Sequence, residues 1–238
     1  LVVGLGATGL SVVRFLVARD EALAVTDSRD IPPGLDLLKN DYPDVARFTG
    51  KFDERAFSSA DRLIVSPGVS LKEPLIKQAQ ERGIPVIGDV ELFAQYVDAP
   101  VVAITGSNGK TTVTTLLGEM AREAGRDVGV GGNIGTPALD LLDGEHDLYV
   151  LELSSFQLES LASLKPVAAT VLNISEDHMD RYSGLDDYAQ AKARIFKGAE
   201  VAVMNRDDMQ VMAMNAGTRN IFFTLSVPQS QDDFGIDE

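Results

Sequence analysis

The residues best equipped for chemistry lie in one run, VVAITGSNGKTT, at Val101–Thr112. An apolar strand is expected to end at Thr105. A glycine-rich turn follows, Gly106-Ser107-Asn108-Gly109, and Lys110-Thr111-Thr112 then opens a helix. Each part has a physical reason. Glycines let backbone N–H groups converge on an oxyanion, and a helix N-terminus adds a favourable dipole. Lys110 neutralises β- and γ-phosphates, and the Thr111 hydroxyl can ligate Mg²⁺. The order therefore reads as a grip on the phosphates of ATP, against the plainer reading of a glycine turn that caps a helix. The common phosphate-loop pattern wants a glycine where this chain has Ile104, so the loop is a shorter variant, T-G-x-x-G-K-T-T.

Further candidates are spread along the chain. Gly4-Leu5-Gly6-Ala7-Thr8-Gly9 fits G-x-G-x-x-G, and Asp27 closes the next apolar run, with Ser28 and Arg29 behind it. Such a fingerprint places a diphosphate or dinucleotide at a helix N-terminus without naming the molecule. Tight strand–helix packing is the competing reading. Glu152 ends the apolar run Leu148–Leu153, and a carboxylate there is a Mg²⁺ ligand candidate. In LNISEDHMDRY, Glu176, Asp177, His178 and Asp180 share one turn after another strand, and His178 is one of only two histidines. It is a candidate ligand or substrate contact. His146 reads as an exposed loop residue. Lys192, on an expected helix, reads on spacing alone as part of a solvated face.

The elements that must position these residues follow from periodicity. Strands are expected at Leu1–Leu5, Ala22–Thr26, Leu63–Val65, Pro85–Ile87, Val101–Thr105, Leu148–Leu153, Ala168–Ile174, Val201–Met204 and Ile221–Leu225. Helices are expected at Thr8–Ala18, Glu73–Arg82 and Lys110–Ala124. Alternation of the two implies βαβ units and mostly parallel sheets. Asp98-Ala99-Pro100 reads as a linker between domains 1–97 and 98–238. The tail Val227–Glu238 is polar and acidic.

Composition narrows the function. The chain has 238 residues, 45% of them hydrophobic and 24% charged, with a net charge of −15. That acidity argues against a nucleic-acid footprint and against anionic membrane surfaces. No apolar run is long enough for a membrane span. With no cysteine, disulfides and thiol nucleophiles are excluded. The N-terminus has no basic leader, so a cytoplasmic location is expected. Asn173-Ile174-Ser175 fits a glycosylation acceptor and reads as chance.

Taken together, these segments resemble the Mur ligases, ATP-dependent amide-forming enzymes of peptidoglycan precursor synthesis. The carrying motifs are GLGATGLS, VTDSR, SPGV, GDVELF, TGSNGKTTVTTLLGEM, GVGGNIGTPAL, YVLELSSFQLE and LNISEDHMDRY, from Gly4 to Tyr182. Weaker similarity runs on through YAQAKARIF to about Asp208. ELSSFQLE favours the branch that adds D-glutamate to UDP-N-acetylmuramoyl-L-alanine.

The resemblance implies an α/β fold: a Rossmann-like N-terminal domain, then a P-loop-containing, mostly parallel central domain. It implies that Thr8, Asp27, Ser28 and Arg29 hold the UDP moiety, with Ser66, Pro67 and Gly68 nearby. Gly106, Ser107, Asn108, Gly109, Lys110, Thr111 and Thr112 would hold ATP, and Asn133 and Ser154 would face the substrate. Thr111 and Glu152 would bind one Mg²⁺. His178 would bind a second, together with a carbamate on Lys192, which reverses the solvated-face reading of that lysine. Lys110, His178 and Lys192 are thus the catalytic candidates, in a monomer acting on small molecules. The family's third domain is expected to be missing here, and this chain alone is expected to have little or no ligase activity. The competing readings are an NAD-dependent oxidoreductase built on Gly4–Gly9 and a non-catalytic nucleotide-binding module.

Overall fold

The computed structural model describes residues 1–217 and 219–236; the last two residues of the acidic tail, Asp237 and Glu238, lie outside the described residues. The chain divides into two compact units, Leu1–Phe93 and Ala94–Glu238. The division falls slightly before Asp98, because buried Phe93, in the helix Asp89–Ala94, belongs to the first core.

Unit 1 alternates β1 (Val2–Val3), α1 (Ala7–Val17), β2 (Ala24–Thr26), α2 (Leu35–Asp41), β3 (Ala46–Phe48), α3 (Glu54–Ser58), β4 (Leu63–Val65), α4 (Pro74–Glu81), β5 (Val86–Ile87) and α5 (Asp89–Ala94). The sheet order is β3-β2-β1-β4-β5, and every pairing is parallel. Val3, Leu63 and Val65 pack with Phe57 of α3 and with Ile76 and Ala79 of α4. The order reverses at β1, so the ends of β1 and β4 flank a topological switch point, where parallel sheets bind ligands. β1 is shorter than its apolar run because Gly4, at φ +96, leaves the strand region to begin the glycine loop. β3 escapes sequence reading because its three residues are all exposed.

Unit 2 carries β6 (Val101–Thr105), α6 (Lys110–Glu123), β7 (Val128–Gly132), β8 (Leu148–Glu152), α7 (Ser155–Glu159), β9 (Ala168–Val171), α8 (Leu185–Ala193), β10 (Val201–Asn205), α9 (Met209–Met212) and β11 (Arg219–Phe223). Its order is β11-β10-β9-β6-β8-β7, again all parallel. β6 and β8 are buried, as strands covered on both faces must be. Ile104, Val128 and Val150 form a core over which Val113, Leu117 and Ala121 of α6 pack. Two expected strands are displaced. β9 stops at Val171, because residues 172–175 leave the sheet to dock on the loop after β6. β11 starts earlier, at exposed Arg219 and Asn220. β7, rich in glycine, gives no strand signal in the sequence; at Gly131 a side chain would strike the Thr136 carbonyl.

Gly9 sits in α1 where a Cβ would run into the carbonyl oxygen of Gly4. Backbone cannot yield there as a flexible side chain can. Gly9→Ala is expected to destabilise unit 1 by about 2–3 kcal/mol, the upper range of overpacking, read by denaturant unfolding. A change below about 0.5 kcal/mol would contradict this packing.

Candidate functional site

In unit 2 the phosphate loop joins β6 to α6. Gly106 and Gly109 have φ of +155 and +79, which glycine alone adopts without strain. A Cβ on Gly106 would press on Leu172. The loop is pinned by the segment after β9. Ser107 N–H donates to the Asn173 carbonyl at 2.9 Å. The Asn173 side chain accepts from Asn108 N–H at 2.8 Å and donates to the Asn108 carbonyl at 3.1 Å. Ser107 Oγ accepts from Ser175 N–H at 2.9 Å and donates to the Ser175 carbonyl at 3.0 Å. Asn205 and Asp208 hold that segment in turn: Asn205 Nδ2 donates to the Leu172 carbonyl and Ile174 N–H to Asp208 Oδ2. Among the described residues, the N–H groups of Gly109, Lys110, Thr111 and Thr112 find no protein acceptor. A helix N-terminus with open donors is an anion site. The loop's donors are thus partitioned: those of 107 and 108 fix its shape, and those of 109–112 are left without a protein acceptor among the described residues.

Two lysines converge on one carbonyl. Lys110 Nζ donates to the carbonyls of Gly106 at 2.9 Å and Ser107 at 3.0 Å. Lys192 Nζ donates to the same Gly106 carbonyl at 2.9 Å and to Thr105 Oγ1 at 3.3 Å. Lys192 is 1% exposed and lies over the Tyr188 ring. Burial first, and then the Lys110 charge, pull its ammonium down to about 7. The solvated face read from spacing is therefore wrong, because α8 turns Lys192 inward. Glu152 is equally buried. Its Oε2 accepts from Thr111 Oγ1 and its Oε1 from Asn133 Nδ2, each at 2.9 Å. No ion pair reaches Glu152 among the described residues. A buried carboxylate without a cation is costly, and with Thr111 it offers the oxygen donors a hard divalent ion prefers.

The SEDHMD turn is irregular and exposed. His178 has φ +55 and lies 3.5 Å from Asp177. Its ring rests against Phe156, centroids 4.8 Å apart. No three His, Asp or Glu side chains form a metal cluster among the described residues, so Glu176, Asp177, His178 and Asp180 do not make one together. Ser154, expected on the substrate side, caps α7 in a reciprocal box with Gln157. His146 does lie in a loop but is only partly exposed, and its Nδ1 meets Asp127 Oδ1 at 2.6 Å.

In unit 1, Thr8 opens α1, and Ser66, Pro67 and Gly68 follow β4 across the switch point. Ser66 Oγ donates to the Gly4 carbonyl at 3.1 Å. Asp27 is 2% exposed and already engaged. Oδ2 accepts from Leu5 N–H at 2.7 Å and Arg29 Nη2 at 2.6 Å, and Oδ1 from Arg29 N–H and Nε. Burial alone would raise this carboxyl, but Arg29 and the backbone donors outweigh it and hold it below the usual range. Asp27 is thus a brace for the glycine loop. Arg29, half-exposed, and exposed Ser28 remain for a ligand. An aspartate so filled is poorly placed to take a ribose hydroxyl, which weakens the NAD reading. Sequence reading missed Asn173, Thr105, Tyr188, Asp208 and Glu159. For Asn173 there was a signal, an asparagine directly after a buried strand, which reads instead as a chance glycosylation acceptor.

Residues 1–88 match the family model for the Mur ligase MurD-like N-terminal domain, and residues 104–236 that for the Mur ligase middle domain. A UDP-N-acetylmuramoylalanine–D-glutamate ligase of Nitrosococcus oceani is 55% identical, across 100% of this chain and 53% of the relative. That of Marinobacter nauticus is 61% identical over 87% of this chain and 47% of the relative. The chain spans about half the length of the curated relatives it matches. Among solved structures, a murein peptide ligase from Psychrobacter arcticus superposes with TM-score 0.56 at 16% identity, covering 94% of this chain and 52% of that one. A UDP-N-acetylmuramate–alanine ligase from Thermotoga maritima gives 0.55 at 17% identity, over 95% and 52%. These two support the fold alone.

The Asn173 side chain carries a specific cost. Asn173→Ala leaves Asn108 N–H without its acceptor, a loss of about 1–1.5 kcal/mol. The Asn108 amide is therefore expected to exchange with solvent about tenfold faster, while the β6 amides stay protected. Unchanged Asn108 exchange would show that the loop is fixed by other means.

Proposed function

The chain belongs to the Mur ligase family, and from this we propose that it carries the UDP-substrate and ATP sites of an enzyme that joins D-glutamate to UDP-N-acetylmuramoyl-L-alanine, a cytoplasmic, monomeric step of peptidoglycan precursor synthesis. The observation that carries the reading is the row of open N–H groups at Gly109–Thr112 beside Lys110 and the Thr111–Glu152 pair. The relatives named as D-glutamate ligases support the substrate choice.

The chemistry follows from the groups present. ATP's β- and γ-phosphates sit on the N-terminus of α6, and Lys110 leaves the loop carbonyls to offset their charge. The substrate carboxylate attacks the γ-phosphorus and ADP leaves, which gives an acyl phosphate. The amine of D-glutamate attacks the carbonyl carbon, and inorganic phosphate departs from the tetrahedral intermediate. Thr111 and Glu152 would hold one Mg²⁺ and His178 a second, and Mg²⁺ when bound supplies charge neutralisation on the phosphates. Asn133 fixes the Glu152 carboxylate for that task. Lys192 is the residue prepared for CO₂. With its pKa lowered to about 7, half its amine is neutral near pH 7, and neutral amine is the form that adds CO₂. The resulting carbamate is an anionic oxygen ligand in a place that disfavours an ammonium.

Two outcomes test this. Calorimetric titration with UDP-N-acetylmuramoyl-L-alanine is expected to saturate, with about tenfold weaker binding in Arg29→Ala, while NADH gives no heat. Saturable NADH binding with no UDP-substrate binding would revive the oxidoreductase. With ¹³C-bicarbonate at pH 8, one carbamate carbon signal is expected, absent in Lys192→Met and fading as pH falls below about 7, where the amine becomes protonated. No such signal at pH 8 would remove the carbamate from the account.

A further inference from the structure

We propose that Glu159 is a positioning residue that clasps the His178 turn to helix α7 and so sets the place of the His178 ring. The reaction chemistry does not use the end of the ELSSFQLE motif, yet the structure ties that end to the exposed turn by hydrogen bonds and ring contacts. Glu159 Oε2 accepts from Arg181 Nη2 at 2.9 Å, and Oε1 from Tyr182 Oη at 2.7 Å. The Arg181 guanidinium lies 3.9 Å over the Phe156 ring, and that same ring carries His178. Tyr182 also stacks parallel to Phe156. The turn closes on the His178 carbonyl, which accepts from Arg181 N–H at 2.9 Å and Tyr182 N–H at 3.3 Å.

The parts are of unequal strength, and the comparison singles out Glu159. A bidentate share of one carboxylate between a guanidinium and a phenol is charge-assisted. The Arg181–Glu159 pair is mostly buried, at 15% and 21% side-chain exposure, so solvent screens it less than a surface pair. Burial above all keeps the Tyr182 phenol protonated, its pKa well above the usual tyrosine value, so it remains a donor. The His178 ring, by contrast, has Asp177 as its ion-pair partner among the described residues, at a long 3.5 Å, with both side chains half-exposed. Histidine visits φ near +55 more readily than most residues, but the conformation still costs backbone strain that the surrounding contacts offset. The surroundings that hold it are Arg181 and Tyr182; Glu159 bonds both, and Ser155 also bonds the Tyr182 hydroxyl. The motif thus spans β8 to α7 with Glu152 at one end and this clasp at the other.

The chain has only two histidines, so the imidazole Cε1–H region of its proton spectrum holds two lines, and His146→Gln assigns them. In the wild type, one narrow His178 line is expected, displaced from the free-imidazole position by the Phe156 ring current. Glu159→Ala is expected to return that line to the free position, while the His146 line stays. Tyr182→Phe and Glu159→Gln, each of which spares part of the clasp, are expected to give intermediate positions and to keep the fold if Glu159→Ala does not. A His178 line unmoved in all three variants would overturn the proposal. That His178 is clasped in order to bind metal rests on the function proposed above. Mn²⁺ added with ADP separates the two claims. Selective broadening of His178, needing about tenfold more Mn²⁺ in Glu159→Ala, supports both. A wild-type line left sharp by Mn²⁺, with the line still displaced by Glu159→Ala, removes the metal role and keeps the clasp.

Discussion

One backbone oxygen organises the second unit. The Gly106 carbonyl accepts from both Lys110 and Lys192 at 2.9 Å, which places two potential cations on one acceptor at the mouth of the phosphate loop. Burying two like charges together is unfavourable, and the fold resolves this by disfavouring the charge of the more deeply buried lysine. Lys110 keeps its Nζ on two carbonyls of the loop. Lys192 cannot move to water, since α8 seals it under Tyr188 and against Thr105. Its low pKa follows from that confinement.

The sheet topology explains why these groups meet. In each unit the strand order reverses beside the first strand, and the loops leaving the two strands at that point lie side by side. In unit 2 this sets the phosphate loop after β6 against residues 172–175 after β9. Asn173 uses the proximity to bond both backbone groups of Asn108, as a paired strand would. In unit 1 the same geometry sets Gly4–Gly9 beside Ser66. There Asp27 braces the loop from the side of β2. Both units thus use polar side chains to fix a glycine loop at the start of a helix.

Much of this was legible in the residues. β6 and the start of α6 follow directly from an apolar run, a glycine turn and a lysine, since those constraints are local. The depth of Glu152 follows from the apolar run that carries it. Other features depend on contacts distant in sequence and left no local signal. Lys192 looks like any lysine on a helix, because its burial is imposed by β6 and the loop after it; only family resemblance pointed to it. Asp27 looked like a ligand acceptor because sequence cannot show that Leu5 and Arg29 already fill it. β3 has no apolar pattern, since it is held by pairing with β2 and not by burial. Glu159 and Arg181 are unremarkable charges until the fold brings them within 2.9 Å.

If nucleotide phosphate sits on Gly109–Thr112, Ser107 and Asn108 stay bound to the protein. Backbone amide spectra recorded through a titration with ADP and Mg²⁺ test it most directly. The largest shifts are expected on the amides of Gly109, Lys110, Thr111 and Thr112, while the Asn108 amide keeps its protection from exchange. Shifts confined to Gly4–Gly9, or loss of Asn108 protection on binding, would contradict it.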